Sequence, residues 1–180
     1  MHPLTLTHRD QELLLRLKGR SLVDVLAPAQ GYAHDSVSGR AVAIAIGLVV
    51  EGIETLFISV RSIELQKQVE AFVLDTTEVC PILSSPGGPE IGWESLRDIA
   101  SSVAGKSIEG IGIFVSQYDG WDAENTCVGV EYEVEDGLVF QLSDESQLVI
   151  EASNMPLWLE LWYGTKPISE NAIRKKGGCT

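Results

Sequence analysis

The amino-acid sequence predicts an α+β protein, mainly antiparallel sheet with two helices, built as a tandem duplication of an α-β-β-β-β unit. Three observations predict it. In residues 128–135, Val128, Val130, Tyr132 and Val134 point one way and Glu131, Glu133 and Glu135 the other, the period-two pattern of a half-buried strand. Leu13, Leu14 and Leu17 in residues 7–18, and Trp93, Leu96, Ile99, Ala100 and Val103 in residues 90–104, fall at helical spacing. Both helical stretches run into the same punctuation, Gly19-Arg20-Ser21-Leu22 and Gly105-Lys106-Ser107-Ile108, at an offset of 86 residues.

Taken in order, Thr7 is a good N-cap for the first helix, and Asp10 sits where a capping box needs it. Residues 21–27 read as a strand ended by Pro28, and 29–39 as a loop. Residues 40–50 are apolar on both faces, which suggests one central strand covered on both sides. Glu51-Gly52 breaks it, 55–60 is a further strand, and 63–77 reads as two strands about Gln66-Lys67-Gln68, with one helix as the alternative. Residues 80–89 are dense in proline, glycine and serine and serve as the linker.

After the second helix, 106–117 is a strand and 118–125 an acidic loop. A three-stranded meander follows, turning at Asp136-Gly137, where glycine would suit a type I′ turn, and at residues 143–146. Residues 153–156 break the chain, 157–163 is a strand or a short helical stretch, and 164–180 is a basic tail that frays at its end. The whole is expected to be one domain of two pseudo-symmetric halves, 7–79 and 90–165, with 80–89 between them and 166–180 after. In that scheme 43–50 answers 129–136, and Glu51-Gly52 answers Asp136-Gly137.

Apolar residues make up 44% of the 180, enough for a folded core. The longest apolar run, 41–50, is half of the ~20 residues a membrane-spanning helix needs. The first residues lack the basic-then-apolar pattern of a secretion signal, so a cytosolic, bacterial-like protein is expected. Cys80, Cys127 and Cys179 form no CxxC pair; they read as two partly buried thiols and one on the tail, with one disulfide as the alternative. The net charge of −13 is uneven: +2 over residues 1–20, +3 over 166–180 and −18 between. Residues 107–165 hold twelve Asp and Glu and no Lys or Arg. Such a surface repels nucleic acid and anionic membranes and attracts basic partners.

No catalytic constellation stands out. His34-Asp35-Ser36 are adjacent in sequence, whereas hydrolytic triads converge from distant positions. No GxSxG elbow is present. His2, His8 and His34 are scattered, so no metal site is predicted. Asp119, Asp122 and Glu124 lack the spacing of a calcium loop. Glu131, Glu133 and Glu135 lie ~7 Å apart along a strand face, but nothing there distinguishes an acid from a base. Residues 84–88 lack the spacing of a phosphate loop, and Glu90 and Glu94 follow them. Trp158, Trp162 and Tyr163 belong to a core, an exposed patch or a dimer contact.

The expected function is therefore non-enzymatic, without cofactor: an acidic module, monomer or homodimer, that docks a basic protein as an immunity or inhibitor protein docks a toxin or nucleic-acid enzyme. Tyr118, Asp119, Trp121, Asp122, Glu131, Glu133 and Glu135 form the expected contact set, because aromatic rings beside charges concentrate binding energy. The alternative is a small-molecule-binding protein or an enzyme with a pocket between the two halves.

Overall fold

The computed structural model describes residues 2–30, 32–35, 40–66, 69–83, 88–121, 126–153, 157–164 and 173–175. Helix α1 (His8–Leu15) starts as expected: the Thr7 hydroxyl accepts from the Asp10 backbone N–H, and the Asp10 carboxylate accepts from the Thr7 backbone N–H at 2.9 Å. Two helical turns are too short to persist alone. Buried Leu13, Leu14 and the following Leu17, each contributing about 1.5–3 kcal/mol, hold the helix on the core. Asp10 also accepts from the Thr76 hydroxyl at 2.6 Å, which ties the helix start to a strand of the smaller sheet.

That sheet has the order β7-β6-β5-β2-β8. It comprises β2 (Leu22–Pro28), β5 (Ala45–Val50), β6 (Leu56–Gln66), β7 (Val69–Thr77) and β8 (Trp93–Ser95). The larger sheet runs β13-β9-β10-β11-β12-β4-β3, with β1 (His2–Leu4) added to β10. Its strands are β3 (Tyr32–Asp35), β4 (Arg40–Ala43), β9 (Ile108–Trp121), β10 (Cys127–Leu142), β11 (Gln147–Ala152), β12 (Leu159–Gly164) and β13 (Ile173–Lys175). Helix α2 (Arg97–Val103) follows β8. Pairing is antiparallel except where β1 meets β10 and β13 meets β9. One apolar core draws on both sheets and both helices, with Leu22, Ile46 and Ile58 from one sheet and Leu138, Phe140 and Ile150 from the other. The α+β class and the mainly antiparallel pairing thus agree with the sequence.

Several boundaries differ. Within the expected loop 29–39 lies β3, an edge strand without apolar alternation, which pairs with β4 from Tyr32↔Ala43 to Asp35↔Arg40. Residues 40–50 are two strands: the chain leaves the larger sheet after Ala43 and joins the smaller at Ala45. β4 alternates between buried and more open residues, whereas β5 is buried at four successive residues, 45–48, so only this second strand is covered on both faces. The helix expected over 90–104 is shorter, since Trp93–Ser95 pairs with β2 and the Trp93 ring meets Phe57 edge-on at 4.8 Å. Residues 63–77 are strand rather than helix, but the expected strands at 55–60 and 63–65 are one, β6, followed by β7; 159–164 is strand rather than helix.

The meander is the largest correction. Asp136-Gly137 is no turn; β10 passes straight through it as one 16-residue strand. A register shift between Glu135 and Gly137 absorbs the extra residue. Gly137 serves packing, because a β-carbon there would lie 2.8 Å from Cδ2 of Phe114. The turn after Leu142 forms as expected, with Glu145 donating to the Leu142 carbonyl at 2.9 Å.

The two Gly-basic-Ser segments meet each other. Gly19 N–H donates to Ile108 O at 2.7 Å and Ile108 N–H to Arg20 O at 2.9 Å. Leu22 N–H donates to Lys106 O at 2.9 Å and Gly105 N–H to Leu22 O at 2.8 Å. Ser21 and Ser107 form an antiparallel bridge, their hydroxyls 3.5 Å apart. Gly19 and Gly105 take φ of +80° and +78°, which favours glycine at both helix exits. Beyond the joint, β2-β5-β6-β7 and β9-β10-β11-β12 lie side by side in the same order.

Candidate interaction site

The long hairpin β9–β10 pairs from Ile108↔Leu142 to Trp121↔Cys127. β11 accompanies β10 over Gly137–Gln141, so the distal half of the hairpin projects as an arm. β1 lies along one side of this arm, His2↔Tyr132 to Leu4↔Val134, and β13 along the other, Ile173↔Val115 to Lys175↔Gln117. Beneath the arm, Tyr118, Tyr132 and Val134 pack with Ala71 and Val73 of β7. The basic tail expected to fray thus contributes a strand to the acidic half.

The expected contact residues are divided by this arrangement. Tyr118 and Asp119 are strand residues rather than loop residues, and both are buried. Burial, then the charge of Asp136, pushes the Tyr118 phenol up to about 12 against an opposing hydrogen bond to the Phe72 backbone. Trp121 closes β9 opposite Cys127; Asp122, like Glu124, lies outside the described residues. The three glutamates sit half-buried along β10. Glu135 accepts from the Leu6 backbone N–H at 2.7 Å, and Glu133 from the Gln117 amide at 3.0 Å. Glu131 lies across Gly120, where an added β-carbon would come 2.8 Å from its own. A register shift between Val130 and Tyr132 interrupts the expected alternation there.

Other features escape the sequence. A cleft of about 460 Å³ opens where the free ends of the two sheets converge, lined by Tyr32 of β3, Glu94 and Ser95 of β8, and residues 96–99. Asp24 accepts from the Ser95 hydroxyl at 2.6 Å and fixes it at the rim. A hydrogen bond to Glu94, then desolvation, raises the Tyr32 phenol above its ordinary range, with Arg97 opposing. Elsewhere Lys106 Nζ lies 2.6 Å from both the Asp144 carboxylate and the Tyr163 hydroxyl. Hydrogen bonds from Lys106 and Ser146 hold the Asp144 carboxyl well below the usual range. No spacing rule connects positions as distant as 32 and 94, or 106 and 163.

Among the described residues, no group of three or more His, Cys, Asp or Glu could hold a metal ion. His8 faces Glu12 at 3.3 Å on the exposed side of α1. Of the hydrolase-like triplet, His34 and Asp35 lie on β3, and Ser36 is outside the described residues. Residues 84–87 are outside them too. Trp162 is partly buried beside Phe114, Val139 and Val149, with Arg40 5.0 Å over its ring. Cys127 is disulfide-bonded, as in the alternative reading, and Cys80 is a free thiol but exposed, so the reading of both as partly buried thiols is corrected.

The architecture defines an α+β protein of two sheets sharing one core, with a projecting hairpin flanked by the chain's first and last described strands. No protein-family model matches the chain, and no curated protein or solved structure matches it either. No helix among the described residues is long and apolar enough to cross a membrane.

Proposed function

We propose that this chain is a non-enzymatic acidic module that docks a basic protein partner, as an immunity or inhibitor protein docks a basic toxin or nucleic-acid enzyme. The observation that supports it is the seat of the chain's own basic segment. Ile173-Arg174-Lys175 lies against β9, in a sheet whose strands β9–β12 all come from the 107–165 stretch without Lys or Arg. The contact surface of this reading is the arm, with Glu131 and Glu133 as its charge and Trp121 at the end of β9; Asp122, which follows it in sequence, belongs to the same expected set. Glu135, Tyr118 and Asp119 support it from within. The reading takes the partner to be a protein rather than nucleic acid or membrane, and the chain to be a monomer or homodimer. A cytosolic location belongs to the same proposal; the Cys127 disulfide weighs against it, because such bonds persist mainly in oxidising compartments.

The tandem duplication is part of the proposal as well. The reciprocal joint at Ser21 and Ser107 and the matching strand orders support it, with β2, β5, β6 and β7 answering β9, β10, β11 and β12. The hairpin β3–β4 would then be an insertion in the first unit.

Affinity capture on the full chain tests the function, first at low salt and then at ~0.5 M, where screening is within a few ångströms. The expected result is a basic protein held at low salt, released at high salt and lost from an E131K/E133K chain. Capture indifferent to both salt and charge reversal overturns the reading.

The cleft supports a second reading, a small-molecule site at the seam of the halves. Tyr32 comes from the first half and residues 94–99 from the second, and apolar Leu96 and Ile99 sit beside charged Glu94, Arg97 and Asp98. A thermal-shift screen of polar metabolites tests it. A stabilising compound that loses its effect on Arg97→Ala and Tyr32→Phe is expected; no shift with any compound removes this reading.

A further inference from the structure

We propose that the cleft between β3 and β8 is a site for a zwitterionic α-amino acid with an apolar side chain. Its carboxylate meets Arg97, its ammonium meets Glu94, and its side chain lies over Leu96 and Ile99. This rests on the small-molecule reading above and names the chemical class of the ligand.

Three observations carry it. First, the cleft holds a cation that the fold leaves unused. Glu94, Arg97 and Asp98 line it, two carboxylates and one guanidinium. Yet Arg97 makes no ion pair or hydrogen bond among the described residues. A guanidinium presents its donors in a fixed fork that matches a carboxylate, two bonds at once. Second, Glu94 is held in place and keeps capacity to accept. It lies opposite buried Ala27 in the β2–β8 pairing, which turns it toward the space between the sheets. There it accepts from the Tyr32 hydroxyl of the other sheet, and Tyr32 also feels the charge of Arg97. A carboxylate accepts several hydrogen bonds, so one phenol leaves room for an ammonium with three donors. Third, the floor is apolar. Leu96 and Ile99, three residues apart at the start of α2, are 5% and 3% exposed and belong to the main core, on which Tyr32 also packs. The volume of about 460 Å³ suits a small molecule. An anion alone would meet two carboxylates, and a cation alone would leave Arg97 unpaired. A molecule carrying both charges close together satisfies both walls, and the chain's net charge of −13 adds selection against plain anions.

The test titrates the full chain with L-leucine and L-phenylalanine. Each is compared with the amine that lacks its carboxylate and the acid that lacks its ammonium, and glycine stands for the missing side chain. Calorimetry gives affinities, NMR shifts at Leu96 and Ile99 locate binding, and circular dichroism checks the fold of each variant. At least one of the two amino acids is expected to bind about tenfold or more tightly than its amine, its acid and glycine, the scale of one charge-assisted contact or one buried side chain. Arg97→Gln should remove the advantage over the amine, and Glu94→Gln the advantage over the acid. Both side chains are exposed, so neither change should unfold the chain. An amine or acid that binds as tightly as its parent, or an amino acid indifferent to Arg97→Gln, overturns the proposal while the cleft reading survives. No binding by either amino acid has the same meaning if the metabolite screen yields a compound whose effect Tyr32→Phe abolishes. If neither the amino acids nor any compound of that screen binds, the proposal and the cleft reading fall together.

Discussion

Replacing Gly137 by alanine separates packing from turn geometry as the reason for this glycine. The new β-carbon would lie 2.8 Å from Cδ2 and 3.1 Å from Cβ of Phe114, and 3.1 Å from Cβ of Glu151. The first distance is too short for any real carbon pair, so something must move. Phe114 is only 1% exposed and packed with Val139, Val149 and the partly buried Trp162, which leaves its ring little room. Overpacking of this kind costs about 1–3 kcal/mol, which for a chain this long lowers the melting temperature by roughly 2–4 °C per kcal/mol. The cost should depend on the ring. In a Phe114→Ala background, which has no Cδ2, the worst contact is gone, and the penalty should fall by about 1 kcal/mol or more. Gly52→Ala is the control. Gly52 has φ +75°, and its one close neighbour is Nη1 of the flexible Arg20 side chain. Its penalty is conformational, ~1 kcal/mol, and should not change with Phe114. Urea unfolding of the five single and double variants against the unmodified chain gives each coupling energy. If Gly137→Ala costs the same in both backgrounds, the packing account of this glycine is wrong.

Three further outcomes are expected. Asp10→Asn should cost about 1–3 kcal/mol, because the buried carboxylate accepts from Thr7 and Thr76. Burial alone would raise its pKa, but those bonds outweigh it and hold it below 3.8, so its stabilisation is present above that pH and lost as pH falls further; the variant should lack this acid limb in a pH series of unfolding curves. Lys106→Gln should let the Asp144 carboxyl return toward its ordinary range, read as an upward move of its NMR titration midpoint, whereas a midpoint that stays put would dismiss the ion pair as its cause. The Tyr118 phenol, raised to about 12, favours the fold below its ordinary value of 10.0 and loses that contribution as pH climbs from 10.0 toward 12; Tyr118→Phe should remove the last step of an ultraviolet tyrosine titration.

Much of the chain was legible because local chemistry and tertiary structure agree. Thr7 with Asp10 marks a helix start, and the alternation around Val134 marks a strand with one face on the core. What stayed hidden depends on partners distant in sequence. The signature Asp-Gly favours a hairpin locally, yet the Phe114 ring and pairing with β9 that resumes after the shift at Glu135 decide Gly137 instead. Period-two alternation cannot register a bulge, so the shift between Val130 and Tyr132 stayed hidden. Tyr118 and Asp119 read as loop beside Gly120 and Trp121, but β9 extends through them and turns them into the core. β3 has no pattern of its own and exists because β4 offers an edge. Of the expected contact set, charge located the acidic half; it did not identify which carboxylates the fold occupies internally, as Leu6 and Gln117 do for Glu135 and Glu133. The cleft at Tyr32 joins positions more than sixty residues apart in the sequence.

The flanking of one hairpin by β1 and β13 has a practical side. β1 runs from Tyr132 toward Val134 and β13 from Val115 toward Gln117, so the chain arrives from, and departs toward, the same end of the arm, next to the Trp121↔Cys127 pair. Three strand spacings, ~14 Å, separate the two crossing points. His2 and Lys175, the outermost described residues, therefore both lie on the side of their strands nearer that tip. A linker of about six residues in place of residues 176–180 and 1 is long enough to join Lys175 to His2 in a circular permutant, since each extended residue spans ~3.3 Å. A fluorescent pair placed at the two ends would report on the tip without touching the core.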